Sequence, residues 1–329
     1  MILTIIIPTY NSQDTIIRAI DSCLECIQDI ELIIVDDGSK DSTLKVIKGN
    51  YGKLLKLKKI NIISTMHVGA SNARNTGIAN ASGRWLMFLD SDDKFKNLSK
   101  VLKALKKIKD SSLNIINYST NYENDLKDES SNVVRARALT KDNLGLKSRE
   151  KTIWDSGPVY KVFKTNFLKV NNITFPVNVK VGEDLIFNQK CLQTNTKVLL
   201  KSDDIYEVIE NKNSVTHAII KQDIINDGIK LVTALQIMKI PTSLEQAFIA
   251  KNYISLLVRF IKSDKIKNEI IYSLKKYKQN FSINKPIAIF YNLRSCLGNA
   301  ISLVGYFVWL KPEILIILLP IMKKIKYRN

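Results

Sequence analysis

Short apolar runs alternate with amphipathic stretches along the first 117 residues. The apolar runs have the length and continuous hydrophobicity of strands buried on both faces, and the stretches between them have helical periodicity. We therefore predict strands near residues 2–7, 31–35, 60–64, 84–89 and 113–118, and helices near 15–27 and 69–81. Strands and helices that alternate at this spacing are typical of an α/β fold with a mainly parallel sheet flanked by helices.

The pattern of the remaining chain is less regular. Residues 94–109 combine lysines with apolar residues at helical spacing, which predicts a surface helix. Residues 119–132 are polar and have no period, so we predict a surface loop. Lys-studded apolar periods from about 218 to 278 predict a helical region.

The C-terminal stretch contains two short apolar segments, 301–310 and 314–322, separated by Lys311, Pro312 and Glu313. A membrane-spanning helix needs about 20 uninterrupted apolar residues, so we predict that residues 286–329 lie in the membrane interface rather than cross it. Interfacial aromatic residues (Tyr306, Phe307, Trp309) and a basic tail (Lys323, Lys324, Lys326, Arg328) suit that location. The alternative is a hairpin that packs on the protein itself.

The net charge of +19 is unevenly distributed. Residues 1–93 hold 10 basic and 11 acidic side chains, whereas residues 251–329 hold 15 basic and 3 acidic ones. Such a basic region favours an anionic partner, either nucleic acid or the acidic face of a membrane, although solubility alone could account for it. No nucleic-acid-reading motif is present, so we predict no nucleic-acid partner.

Two further features bear on the cellular compartment. Cys23 and Cys26 form a C-x-x-C inside a predicted helix, and no second ligand pair exists at zinc-site spacing, so we predict buried, reduced thiols. The opening apolar run is too short for a secretory signal, and we expect the protein to stay in the cytoplasm, on the inner face of the membrane.

Polar residues follow three of the predicted strands. They occupy positions 8–11, 36–39 and 90–93. Ligands bind at the carboxyl ends of the strands in open parallel α/β sheets, so we expect the three clusters to line one cleft. A single Asp-Asp pair is usually turn chemistry, but turns alone do not account for three clusters at corresponding positions.

The third cluster is rich in carboxylates. Asp90, Asp92 and Asp93 lie within four residues after a buried strand, a pattern that suits a hard divalent cation with oxygen ligands. Mg²⁺ or Mn²⁺ would keep coordination positions open for a diphosphate and would neutralise charge on a leaving group. A glycosidase with paired carboxylates is a rival hypothesis, but it requires neither a metal nor a nucleotide pocket.

Four motifs together carry a family resemblance. They are residues 5–11 (IIIPTYN), 35–43 (VDDGSKDST), 69–77 (GASNARNTG) and 88–93 (FLDSDD). In this order they resemble the family-2 glycosyltransferases of the GT-A fold, and residues 182–187 (GEDLIF) resemble the acceptor-side acidic motif of that family. The resemblance covers roughly the first 120 residues and the later acidic motif.

The resemblance implies a role for each matching residue. The nucleotide-sugar would contact Pro8, Thr9, Tyr10, Asn11, Asp37, Gly38, Arg74, Asp90 and Ser91. Within this set, Tyr10 would lie against the base, Asp37 would accept the N–H of a uracil, and Arg74 would reach the base-binding edge or the diphosphate. Asp90 would hold sugar hydroxyls, and Asp92 would bind Mn²⁺ or Mg²⁺.

The acceptor side has its own implied residues. Asp184 would be the general base that deprotonates the acceptor hydroxyl, with the adjacent Glu183 as the alternative; both could also cap the following helix. His217 is a candidate metal ligand. We expect His67 to be a polar surface residue or a hydrogen-bonded core residue. Lys161 and Lys164 could approach acceptor phosphates, but we expect both to lie on solvated faces.

The resemblance implies an inverting transferase that moves a sugar from a UDP-sugar to a hydroxyl of a glycan. A lipid-linked oligosaccharide of a bacterial surface polysaccharide is the expected acceptor because of the basic C-terminal region. A protein or glycopeptide acceptor, or an inactive scaffold with the same fold, are the alternatives. We expect a catalytic domain over 1–217, with a nucleotide-sugar half at 1–118 and an acceptor half at 119–217, followed by a helical region at 218–329.

Overall fold

The fold alternates strands and helices through its first half, as the hydrophobic pattern predicts. The computed structural model describes residues 1–109, 112–119, 126–130, 157–180, 182–194, 196–209, 224–238, 242–261, 267–284, 286, 289 and 299–314. The strands are β1 (Leu3–Thr9), β2 (Ile30–Asp36), β3 (Ile60–Ser64), β4 (Trp85–Phe88), β5 (Lys94–Phe95), β6 (Leu113–Ser119), β7 (Leu126–Ser130), β8 (Lys161–Lys164), β9 (Lys197–Ser202) and β10 (Tyr206–Glu207).

Ten α-helices are found in the described ranges. They are α1 (Ile16–Leu24), α2 (Thr43–Lys56), α3 (Ala70–Asn80), α4 (Leu98–Lys107), α5 (Thr165–Val170), α6 (Glu183–Gln193), α7 (Ile224–Ile237), α8 (Thr242–Ile261), α9 (Lys267–Asn280) and α10 (Asn299–Leu310). A 3₁₀ turn follows at Pro312–Ile314. The predicted surface helix near 94–109 corresponds to α4, whose apolar face is buried (Leu98, Val101, Leu102, Leu105).

The main sheet has the strand order β3-β2-β1-β4-β8-β6-β9-β7. The β1–β2, β2–β3, β1–β4 and β6–β9 pairs are parallel, whereas β8 runs antiparallel to both β4 and β6. β1 and β2 are buried along their whole length, which is why their sequences are nearly continuous apolar runs. The predicted α/β class with a mainly parallel sheet and flanking helices is confirmed.

One secondary-structure prediction is wrong. The polar stretch 119–132 was expected to be a loop, but it contains β7, which pairs antiparallel with β9 at the edge of the sheet. An edge strand needs little apolar periodicity because one side of it is not paired, so polarity alone is a poor guide there.

The helix α3 lies very close to the central strand. A Cβ atom on Gly77 would approach Cγ2 of Ile6 in β1 to 2.4 Å, so only glycine permits this contact. Ile6 is fully buried, so it has no free space to move into. Gly77 therefore fixes the seat of α3, the helix that also carries Arg74.

The chain divides into two compact units. The first comprises residues 1–135, 152–177 and 183–212 and contains the whole main sheet; the second consists chiefly of residues 213–329. The expected boundary at 217/218 lies outside the described residues. Within the second unit, α8 provides a fully buried Tyr253 whose hydroxyl donates to the carbonyl of Val308 in α10 (3.1 Å).

The apolar segment 301–310 forms most of α10. Trp309, expected at a membrane interface, is instead 4% exposed, and its ring meets that of Tyr253 edge-on at 4.9 Å. Phe307 is 42% exposed. This part of the segment therefore packs on the protein, and the second apolar segment and basic tail lie outside the described residues. Among helices in the described ranges, none combines the length and apolar character needed to cross a bilayer.

Candidate active site

Three polar clusters meet at one edge of the sheet. β2, β1 and β4 are adjacent and parallel, so residues that follow them emerge side by side, about 5 Å apart per strand. The carbonyl of Thr9 accepts the N–H of Asp37 (2.8 Å), which joins the first two clusters directly. The predicted convergence of the strand ends is thus present.

Asp37 organises the loop that leads into α3. Its carboxylate is buried and accepts the backbone N–H groups of Val68 (3.0 Å) and Gly69 (2.8 Å) and the hydroxyl of Thr65 (3.1 Å). Its Oδ2 atom also lies 3.0 Å from Nδ1 of His67. The carboxylate is therefore already satisfied, and its predicted contact with a uracil stays a prediction.

His67 is a polar surface residue, one of the two alternatives expected for it, and it lies beside Tyr10. Its ring stacks on Tyr10 with a centroid distance of 4.0 Å and an interplanar angle of 19°. The side chain is 54% exposed, and the Tyr10 residue is 38% exposed. Tyr10 and His67 therefore form an accessible aromatic surface at the end of β1.

Backbone conformation and hydrogen bonds fix the chain around the end of β1. Asn11 has a left-handed backbone (φ 48°), and its Oδ1 accepts the N–H of Lys40 (2.8 Å). Gly38 also has positive φ (74°), and a Cβ there would lie 3.1 Å from the backbone nitrogen of His67. Pro8 is buried in β1, and the hydroxyl of Thr9 is buried without a partner among the described residues.

The acidic turn after β4 is fixed from two sides. The hydroxyls of Ser91 and Ser12 are 2.8 Å apart, which ties the turn to the start of α1. The hydroxyl of Tyr206 donates to Asp93 (2.7 Å) and accepts the N–H of Asp90 (3.2 Å). Asp93 is buried and therefore anchors the turn, whereas Asp90 and Asp92 are partly exposed.

Arg74 is the centre of a charged cluster. It is 6% exposed, and its guanidinium lies 3.0 Å from Asp90, 3.5 Å from Glu183 and 3.6 Å from Asp184. Its Nε atom has no partner among the described residues. Arg74 therefore joins the strand-end acids to the later acidic motif.

The two carboxylates of the later motif lie in the first turn of α6. Burial raises the pKa of Asp184 from 3.8 to about 7; Glu183 and Asp90 add to the rise, and Arg74 opposes it. Burial also raises the pKa of Glu183, against the pull of Arg74. The Oδ1 atom of Asp184 accepts no hydrogen bond from the described residues. A half-buried carboxylate with a raised pKa suits a general base.

The described carboxylates could hold a divalent metal only together with the phosphate oxygens of a bound nucleotide. No group of three or more His, Cys, Asp or Glu in the described ranges is arranged to hold one. Burial and the nearby Asp90 raise the pKa of Asp92, so its carboxylate would gain from a cation. Mg²⁺ in nucleotide sites is typically bound by one or two carboxylates plus phosphate oxygens. Asp92 could supply such a carboxylate. His217, the other candidate ligand, lies outside the described residues.

Sequence reasoning missed two cations near the acids. Arg18 in α1 donates to the carbonyl of Asp92 and helps to hold the turn. Lys161, expected on a solvated face, is fully buried; its Nζ donates to the carbonyl of Gly157 (2.5 Å), and its charge lowers the pKa of Asp184. Arg18 meets Asp92 across 74 residues, so no local signal could have identified that contact. Lys161 has a partner nearby in sequence, but its burial depends on the packing of β8 within the sheet.

Comparison with known proteins agrees with this arrangement. The family model described as glycosyl transferase family 2 matches residues 4–170, about half of the chain, including β1 to β4 and the strand-end clusters. The chain belongs to glycosyl transferase family 2. The family was expected from the four motifs, and that prediction is confirmed.

Relatives of this glycosyl transferase family 2 member have names from surface-polymer synthesis. It is 30% identical over 221 residues to a poly(ribitol-phosphate) beta-glucosyltransferase of Bacillus spizizenii, covering 64% of this chain and 32% of that one. It is 28% identical over 216 residues to the poly(ribitol-phosphate) beta-N-acetylglucosaminyltransferase TarS of Staphylococcus aureus, covering 63% of this chain and 35% of that one. The chain thus spans about a third of the length of these relatives.

A solved structure shares the fold over most of the chain. The crystal structure of S. aureus TarS 1–349 in complex with UDP-GlcNAc superposes with a TM-score of 0.67 at 18% identity, covering 94% of this chain and 90% of that one. At this identity the likeness shows the fold alone.

Proposed function

We propose that this protein transfers a sugar from a UDP-sugar to a hydroxyl of a glycan and inverts the anomeric configuration. The observation that carries the proposal is the cluster around Arg74, in which one buried guanidinium contacts carboxylates from the end of β4 and from the first turn of α6. The cluster joins a strand end that suits nucleotide-sugar binding to a pair of carboxylates with raised pKa values.

The donor would lie across the carboxyl ends of β2, β1 and β4. Tyr10 provides an exposed aromatic face for a base, in the region that Asp37 organises. Among the described residues, Arg74 donates to Oδ1 of Asp90 and no side chain or N–H group donates to the other carboxylate oxygen, which leaves that oxygen for a sugar hydroxyl. A Mn²⁺ or Mg²⁺ ion held by Asp92 and the diphosphate would stabilise charge on the departing UDP.

The acceptor hydroxyl would give its proton to Asp184. As the acceptor oxygen forms a bond to the anomeric carbon, the bond from that carbon to the UDP oxygen breaks, and its electron pair leaves with UDP. Attack from the face opposite the leaving group inverts the configuration. Arg74 holds Asp184 at the site and limits the rise of its pKa, so that the carboxylate is ionised above about pH 7.

The expected acceptor is a surface polysaccharide or its lipid-linked precursor at the inner face of the membrane. Two observations support this class. Relatives named for poly(ribitol-phosphate) glycosylation cover nearly two thirds of the chain, and the C-terminal region is strongly basic, which favours anionic acceptors or lipids.

A donor panel tests the proposal. Purified protein is incubated with Mn²⁺ and UDP-, GDP- or dTDP-sugars, and release of the nucleoside diphosphate is measured beside the variant Asp92→Ala. We expect slow metal-dependent release from one UDP-sugar and at least a ten-fold lower rate in the variant, on the order of what electrostatic stabilisation supplies. If calorimetry finds no metal-dependent binding of any donor or of free UDP, GDP or dTDP, the inactive-scaffold alternative replaces this proposal.

A further inference from the structure

Asn75 makes an unusual pair of hydrogen bonds to the main chain of one distant residue. Its Nδ2 atom donates to the carbonyl of Phe175 (2.9 Å), and its Oδ1 atom accepts the N–H of the same residue (2.8 Å). Because one amide satisfies both backbone groups, any slip of the chain past Asn75 breaks both bonds together. Asn75 is thus a register clamp between α3 and the segment that precedes α6.

Phe175, whose backbone is held by Asn75, packs against α6. It is 2% exposed, and its ring stacks on Phe187 of α6 with a centroid distance of 3.9 Å and an interplanar angle of 3°. It also meets Phe88 at the end of β4 edge-on (5.4 Å). Phe175 therefore packs between the helix with the candidate base and the strand that precedes the acidic turn.

The Phe175–Phe187 ring stack lies next to the first turn of α6, which carries Glu183 and Asp184. Phe187 follows Glu183 by four residues and Asp184 by three, so these side chains belong to neighbouring turns on one side of α6. Arg74, adjacent to Asn75 in α3, contacts both carboxylates and also lies over the Phe175 ring, 5.4 Å from its centroid. Two successive residues of α3 thus bind this region. Arg74 contacts the carboxylates at the start of α6, and Asn75 holds Phe175, which packs against α6.

We propose that Asn75 is a positioning residue for Asp184, acting through Phe175 and Phe187 rather than by touching the substrate. This inference rests on the proposed function, in which Asp184 is the base. Among the described residues, the side-chain amide of Asn75 hydrogen-bonds to Phe175 and not to Tyr10, Asp37 or Asp92, so its loss should displace the base while leaving the donor-side groups in place. A displacement of about 1 Å at a reacting group can cost on the order of a hundred-fold in rate.

The test compares Asn75→Ala with a matched control on the same helix. Asn80→Ala also removes a side-chain amide from α3, but that amide is exposed and donates only to Thr76 one turn earlier (2.9 Å). We expect Asn75→Ala to lower kcat by about ten- to a hundred-fold, to leave the dissociation constant of UDP with Mn²⁺ within about two-fold, and to leave kcat unchanged in the control.

Hydrogen exchange provides a readout that does not depend on activity. Amides of residues 183–193 should exchange faster in Asn75→Ala than in wild type or Asn80→Ala. Unchanged exchange in this helix, or a kcat within two-fold of wild type, overturns the inference. So does an equal loss of kcat and UDP affinity, because that pattern indicates general damage to the fold.

A milder variant covers the case in which Asn75→Ala does not fold. Asn75→Asp is nearly isosteric and keeps the acceptor for the Phe175 N–H, but it turns an oxygen towards the Phe175 carbonyl in place of a donor. The same selective fall in kcat and the same faster exchange are expected. If wild-type protein transfers no sugar while α6 still exchanges faster in the variants, the proposed function fails and the positioning of α6 by Asn75 stands.

Discussion

At the residue scale, the site contains more negative than positive charge. Arg74 faces three carboxylates, and Asp92 lies two residues from Asp90 in the same turn. Burial limits how far water can offset this excess, and both Glu183 and Asp184 respond with raised pKa values. An excess of buried negative charge lowers the stability of the fold unless a cation binds. Functional sites commonly reduce stability in this way.

The raised pKa of Asp184 predicts the direction of the pH dependence. A general base must be ionised, so a carboxylate whose pKa rises to about 7 is active above that pH and loses activity as the pH falls through it. We expect UDP-sugar turnover to decrease steeply below about pH 7, far above the range of an ordinary aspartate near 3.9. Initial rates between pH 5 and 9 measure this.

The control for the pH profile is UDP affinity over the same range. Affinity that stays constant assigns the acidic limb to the chemical step. A rate that is flat between pH 5.5 and 8 would contradict the assignment of Asp184 as a base with a raised pKa.

Single residues differ in how far the sequence reveals them. Asp184 and Arg74 stand in local motifs, so their place in the site could be expected before their contacts were known. Lys161, Tyr206 and His67 could not be assigned in this way. Each meets its partner across 30 or more residues, or in the case of Lys161 within a buried strand whose depth a lysine gives no reason to expect.

At the element scale, α3 is the support for both halves of the site. It lies directly on β1 at Gly77, and it carries Arg74 and Asn75 to the later acidic motif. The sequence predicted this helix within a residue at each end, at 69–81 against Ala70–Asn80. It could not predict the antiparallel insertion of β8 between β4 and β6, since the chirality rules for crossovers apply to parallel pairs.

Substitution of Gly77 tests the role of α3. In Gly77→Ala the new Cβ would lie 2.4 Å from Cγ2 of the buried Ile6, so the helix must move away from β1. We expect a loss of about 1–3 kcal/mol in the free energy of unfolding, as for other overpacked cores, and a fall in kcat because Arg74 moves with the helix. Urea denaturation and steady-state rates measure the two effects.

The matched control is Gly49→Ala in α2. A Cβ there meets nothing within 4 Å, so alanine should gain roughly 0.5–1 kcal/mol through its better helix propensity and leave kcat unchanged. Equal stability of the two variants would show that α3 is not seated tightly on the sheet.

At the scale of the whole molecule, charge and chemistry lie in different parts of the chain. The first 93 residues, which would provide most of the proposed donor side, carry a net charge of −1, whereas residues 251–329 carry +12. An excess of basic residues in the C-terminal region can attract an anionic membrane or polymer without disturbing the acidic site.

This distribution predicts binding to anionic vesicles. We expect the full chain to sediment with vesicles that contain phosphatidylglycerol, to remain in the supernatant with purely zwitterionic vesicles, and to be released by salt, since the attraction is screened beyond about 10 Å at 0.1 M. Replacement of Lys323, Lys324, Lys326 and Arg328 by glutamine should weaken sedimentation and leave UDP affinity unchanged. Equal binding to both vesicle types would rule out the electrostatic component.

In the proposed reaction, Asp184 performs the proton transfer of a UDP-sugar transferase. The most direct measurement is the turnover of Asp184→Asn and Glu183→Gln with the preferred UDP-sugar and acceptor, together with UDP binding by calorimetry. We predict that Asp184→Asn lowers kcat by about 10²–10⁴-fold, that Glu183→Gln has a smaller effect, and that both bind UDP as wild type does. An Asp184→Asn enzyme with wild-type turnover, or a loss confined to Glu183→Gln, would contradict the account.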